Sequence, residues 1–264
     1  MMKKNLLIFS LFISVLMYSY NSEYMQARIR NEINKGVESW NKYRKKAPIA
    51  WEIGLFFAQL DNRDLSGINL SNFRIYNCSF INTKFIRAIL EEAKFSACKI
   101  QNTDFSYSNL NNANINWNLQ DSRFISISFN NGLLDAEKIT NCNFSNSTMR
   151  GARFSVSRIL YSDFFNCDLK NISIEKESFF LNCNFTNSDF QSSKFLYTQK
   201  DRIEGYGKVK FNHCNFTNAN LTSITQLDNA AFNYSNMKGT KIERKWFNYL
   251  KTQKVKNFEL INWQ

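Results

Sequence analysis

The residues best suited to bond-making chemistry are six cysteines, Cys78, Cys98, Cys142, Cys167, Cys183 and Cys214, and a single histidine, His213. Cysteines could form disulfides or hold zinc. No two of them stand in C-x-x-C spacing, so zinc binding is not expected. One histidine leaves little room for imidazole catalysis or a His-ligated metal. There is no Ser-His-Asp order, no phosphate-binding glycine loop and no carboxylate pair with a defined neighbourhood. The sequons Asn143-Phe144-Ser145, Asn184-Phe185-Thr186 and Asn215-Phe216-Thr217 each straddle a large apolar residue. They read as by-products of a repeat rather than glycan acceptors. No catalytic residue, metal or cofactor is expected.

The elements that would position these residues follow one spacing. From Leu65 a large apolar residue recurs at every fifth position through Leu70, Ile75, Phe80, Phe85 and on to Ile115. One residue is dropped, and the phase restarts at Leu119 and runs to Ile174. An inserted residue moves it to Phe180, Phe185, Phe190 and Phe195. After interruptions come Phe211, Phe216, Leu221 and then Phe232, Met237, Ile242, making thirty-three repeats in all. Sixteen of the 25 phenylalanines occupy this position. Two residues earlier stands a small residue, and all six cysteines fall there. The residue between is commonly Asn or Asp. Neither the period of a helix nor that of a strand gives five. A chain that turns a corner every five residues would place one large and one small side chain inward per side, and stacked coils would bury a continuous core. The 37 asparagines and single proline fit many tight turns that still pair in a ladder.

The units Ala219-Asn220-Leu221-Thr222-Ser223 and Ala113-Asn114-Ile115-Asn116-Trp117 resemble the pentapeptide repeat family, as does the opening Asp64-Leu65-Ser66-Gly67-Ile68-Asn69-Leu70. The chain departs from that family's pattern in using Phe at about half of the central sites. The resemblance covers residues 61–243. It implies an all-β solenoid, a right-handed quadrilateral β-helix with four repeats per coil, hence about eight coils and a rod of ~40 Å at ~4.8 Å per rung. On such coils Cys78 and Cys98, 20 residues apart, would stack on one side with parallel side chains, which does not suit a disulfide dihedral. The cysteines are expected to be free core thiols filling small sites. His213 would lie on a water-facing corner.

The ends differ from the body. The formal charge of +12 is concentrated outside residues 61–243. Lys3 and Lys4 precede an apolar run from Leu6 to Tyr20. Residues 1–22 therefore read as a signal or membrane-anchor segment, although the run is shorter than the ~20 residues of a spanning helix. A buried N-terminal helix is the third reading. Residues 23–60 read as an amphipathic helix with Met25, Ile29, Ile33, Val37 and Trp40 on one face, ended by Pro48, followed by an N-terminal cap. The alternative is a helix lying on a membrane through Lys42, Arg44, Lys45 and Lys46. Residues 244–264, aromatic and basic, read as a helical C-terminal cap or a homodimer contact.

The one long interruption, Leu196–Lys210, carries Tyr197, Arg202, Tyr206 and Lys208. These are contact-forming types and the candidate partner-binding residues. The chain is therefore expected to be a non-enzymatic binding or scaffold protein of the cell envelope, membrane-anchored or exported, acting on a protein partner and not on nucleic acid. Two alternatives stand beside it: a secreted effector acting at host membranes, and a topoisomerase-protecting DNA mimic. Mimicry requires an acidic rod, which the basic composition opposes.

Overall fold

The computed structural model describes residues 23–46, 54–175, 178–196 and 208–264. They form a four-sided parallel β-solenoid of about ten turns. Side one stacks Leu55, Ile75, Phe95, Ile115, Leu134, Phe154, Ile174 and Phe195 in parallel register. Side two stacks Phe80, Ile100, Leu119, Ile139, Ile159, Phe180 and Phe211. Sides three and four are joined by single parallel bridges, such as Asp64 with Lys84 and Asn69 with Ile89. The large residue of each repeat points inward and is buried.

Each of the three repeat positions has a physical reason. The residue two after the large one turns the corner with a left-handed backbone. Among the described residues, twenty-seven non-glycine residues have positive φ, between 50° and 64°, and fifteen of these are Asn. Asn tolerates that region better than other side chains, which explains the composition. The Asn or Asp before the large residue accepts the backbone N–H two residues on, as Asp104 does from Ser106 (2.9 Å), Asn143 from Ser145 (2.8 Å) and Asn184 from Thr186 (3.1 Å). The small inward residue reaches the coil below. Ser147 Oγ donates to the Phe124 carbonyl (2.8 Å) and Thr83 Oγ1 to that of Leu60 (2.8 Å).

The coil is longer than the expected eight turns at both ends. The described coil already includes Gly54–Phe56, which pairs with Arg74–Tyr76, ahead of residue 61. It also continues past residue 243. Asn262–Trp263 pairs with Lys241–Ile242, and Lys256 bridges Asn236. The C-terminal segment is therefore a tenth turn carrying one short helix, Phe247–Thr252, rather than a helical cap alone. Irregular composition hides this turn from a period-five reading.

The amphipathic N-terminal segment is two helices. The first covers 23–34, and the second is Val37–Lys46; they are broken at Gly36, whose φ of 113° no helix permits. We call them α1 and α2. Ile29, Ile33 and Trp40 are buried, so the apolar stripe covers the first coil rather than facing a membrane. Pro48, expected to end the helix, lies outside the described residues, as does the segment 1–22. Among the described residues no helix is long and apolar enough to cross a membrane.

The helices pair the open edge of the first turn with side chains. Gln26 donates to the Gly54 carbonyl (2.7 Å) and accepts from the Phe56 N–H (3.1 Å). Asn41 does the same with the Gly67 carbonyl and the Asn69 N–H, both at 2.9 Å. Each amide thus replaces one rung of a missing coil. An unpaired parallel edge would otherwise template aggregation.

Candidate functional site

Three of the interruptions in the repeat fall on one edge of the rod. The residue dropped between Ile115 and Leu119, the residue gained between Ile174 and Phe180, and the long insertion between Phe195 and Phe211 all separate side one from side two. In the two turns between the first and second of these, the left-handed corner is absent. Continuous strands Leu133–Thr140 and Arg153–Leu160 run across the edge instead. The other three edges keep the repetitive corner that the stacked coils require. This edge is where the fold tolerates variation and where it displays irregular side chains.

The insertion leaves the coil after Phe195 and returns in the strand Val209–Asn212. Tyr197, Arg202 and Tyr206 lie outside the described residues. Lys208 is half-buried at the foot of the insertion, and its Nζ lies 5.4 Å from the centroid of the Tyr249 ring. Tyr249 in turn donates to the Ala230 carbonyl (2.5 Å). Burial, with a smaller contribution from Asp228, pushes the Tyr249 hydroxyl up to about 12. Lys208 therefore ties the insertion to the tenth turn.

The other chemistry-bearing residues are in structural roles. All six cysteines are buried and free. Their thiols do more than fill space. Cys167 Sγ donates to the Phe144 carbonyl (3.0 Å) and Cys98 Sγ to that of Ile75 (3.4 Å), the bond that Ser and Thr make at the same site. Burial pushes both the Cys142 and the Cys167 thiols up to about 12. Such thiols stay protonated in the folded coil at neutral pH. A maleimide at pH 7.5 is therefore expected to label no cysteine in the native rod and all six after unfolding, read by mass spectrometry. Rapid native labelling of Cys142 or Cys167 would contradict their placement. The sign of the pH dependence follows. The folded thiols hold their protons above the unfolded value, so their contribution is complete below about pH 9 and is lost as pH rises toward 12.

His213 is exposed on a corner at φ 53° and stacks on Tyr234 with centroids 5.1 Å apart. No group of three or more His, Cys, Asp or Glu able to hold a metal ion occurs among the described residues.

Residues 55–91 and 88–117 match the family model described as pentapeptide repeats, in eight copies. Among solved structures, the chain is similar to HetL, a pentapeptide repeat protein involved in heterocyst differentiation regulation from the cyanobacterium Nostoc. The match has 16% identity, covers 85% of this chain and 92% of that one, and has a TM-score of 0.39. It is also similar to QnrB1, a plasmid-mediated fluoroquinolone resistance protein, at 16% identity over 74% of this chain and 98% of that one, with a TM-score of 0.33. No curated protein matches the chain.

Proposed function

The chain belongs to the pentapeptide repeat family, and on that premise we propose that it is a non-enzymatic scaffold of the cell envelope that displays one edge of its coil to a protein partner. The observation that supports this reading is the gathering of the irregularities on the edge between sides one and two, with the Leu196–Lys210 insertion as its largest feature. Tyr197, Arg202 and Tyr206 supply contacts of the kind that dominate protein interfaces. Lys208 anchors the insertion to the coil through Tyr249. The described body offers a rigid shape, and the segment 1–22 supplies placement, by a cleaved signal or a membrane anchor. A homodimer through the aromatic tenth turn would double the displayed edge.

Two deletions test placement and recognition separately. Removing residues 1–22 is expected to leave a folded rod with unchanged circular dichroism that no longer fractionates with the envelope. Removing residues 197–207 brings Phe195 and Phe211 to the regular five-residue spacing. It is expected to keep fold and location and to abolish capture of the partner in a pull-down from the envelope fraction. A truncated protein still found in the envelope would refute the targeting role. Retention of every partner by the loop-shortened protein would move recognition elsewhere on the rod.

A further inference from the structure

The same edge carries a second feature, nearer the N-terminal end. Trp117 stands at the dropped residue between Ile115 and Leu119 and is 44% exposed. Among the described residues its side chain makes no ring contact and no hydrogen bond. Tyr161 and Phe165 are likewise exposed without a ring partner but line neither of the hollows beside Trp117, and other exposed aromatics are covered. Phe57 packs on Tyr76, Tyr107 lies beneath Arg87, and Tyr234 is flanked by His213 and Lys254. The neighbours of Trp117 along the edge are small, Ala97 in the coil on one side and Ala136 in the coil on the other. The indole consequently projects between two hollows. One, of about 590 Å³, is lined by Asp61, Asn77, Ser79 and Lys99; the other, of about 320 Å³, by Asn118, Glu137 and Ser157. Both are open surface hollows lined mainly by polar residues.

The hollows are polar and carry carboxylates. Asp61 Oδ1 accepts from Ser79 Oγ (2.6 Å) and from the Ile81 N–H (2.8 Å). Glu137 accepts from Arg158 (3.2 Å). Lys99 lines the first hollow with Asp61, and in the second Glu137 is paired to Arg158 and Asp135 also lines the wall. A bare aromatic face flanked by amides, hydroxyls and carboxylates suits a ligand with apolar C–H faces and a rim of hydroxyls. That combination describes a sugar ring. The rung spacing of ~4.8 Å is close to the length of one pyranose unit in an extended β-linked chain. A hollow on each side of the indole allows such a chain to run along the edge.

We propose that Trp117 and its two flanking hollows form a binding site for a linear, neutral oligosaccharide. The indole stacks on one sugar ring, and Asp61, Asn77, Asn118 and Glu137 take hydroxyls of the units on either side. The site is separate from the insertion between Phe195 and Phe211, and it stands or falls independently of the protein-partner reading.

The test uses the full chain titrated with chitohexaose, cellohexaose and maltohexaose by calorimetry. Saturable binding of at least one hexaose is expected. Trp117→Ala should weaken it at least tenfold, and Trp117→Tyr should restore it to within a few-fold. Phe57→Ala, at an aromatic already covered by Tyr76, should leave it unchanged. The indole makes no ring contact or hydrogen bond but is about half-buried, so Trp117→Ala should melt only slightly lower than the parent, and an unchanged circular dichroism spectrum excludes misfolding as the cause of lost binding. Absence of binding by all three hexaoses at millimolar concentration would overturn the proposal. So would binding undiminished in Trp117→Ala, or a peptide captured through Trp117 with no competition by any of the hexaoses.

Discussion

Replacing Phe144 by alanine is expected to destabilise the protein by about 3–5 kcal/mol. Phe144 belongs to a column of seven rings on side three: Phe85, Phe105, Phe124, Phe144, Phe164, Phe185 and Phe216. Successive centroids lie 4.8–5.0 Å apart and planes are within 17° of parallel. The spacing is the rung spacing, so the backbone ladder imposes the stack. Removing one ring breaks two such contacts, each worth about 0.5–1.5 kcal/mol beyond burial. The hole cannot close, because the rungs above and below are held by the Phe124–Asn143 and Phe144–Asp163 backbone bonds (2.6 and 2.7 Å). Nearest-neighbour coupling should localise the damage, and hydrogen exchange should quicken first in the turns on either side of Phe144. The control is His213→Asn on the corner, which keeps a residue tolerant of positive φ and should cost under ~0.5 kcal/mol. His213→Ala should cost more, about 1 kcal/mol, through the left-handed backbone. Equal melting temperatures for Phe144→Ala and His213→Asn would contradict the inward stack.

Replacing Trp40 by alanine is expected to be of similar size, about 3–5 kcal/mol, with a different consequence. Trp40 is buried between α2 and the first coil. It packs edge-on against Phe73 at 5.6 Å, and its indole N–H donates to the Asn69 carbonyl (2.7 Å). Its loss should release the amide bonds of Asn41 and the Arg44 contact to Ser71 (2.6 Å). The parallel edge beneath would then be bare. Concentration-dependent aggregation should therefore accompany the lower denaturant midpoint, as it would not for Phe144→Ala. Asn41→Ala, which orphans two backbone groups at a partly exposed site, should cost only ~1 kcal/mol. A monomeric Trp40→Ala protein with a parent-like midpoint would show that α1 and α2 are dispensable as a cap.

The period of five determined the core. A large residue every fifth position and a small one two places earlier are local instructions, repeated until neighbouring coils have no alternative register. The asparagines were legible as turn formers for the same reason, although their division between left-handed corners and side-chain bonds such as Asn143 to Ser145 became clear only with the backbone in place. The cysteines were legible as inward and unpaired. That their thiols donate to carbonyls of the coil below, as Cys167 does to Phe144, depends on contacts 23 residues apart.

What tertiary structure alone decided is everything that depends on the phase between coils. Three breaks in the repeat look unrelated along the chain, yet twenty-odd residues per turn place them on one edge. The exposure of Trp117 follows from that edge and from Ala97 and Ala136 in adjacent coils. Gln26 and Asn41 read as ordinary polar positions of an amphipathic helix until the first coil presents them with unpaired backbone. The tenth turn lacks the repeat because it packs its large side chains, Phe247, Phe258 and Trp263, against one another rather than beneath a further coil. Repetition is encoded within five residues, whereas ends and edges are defined by neighbours that the local sequence does not contain.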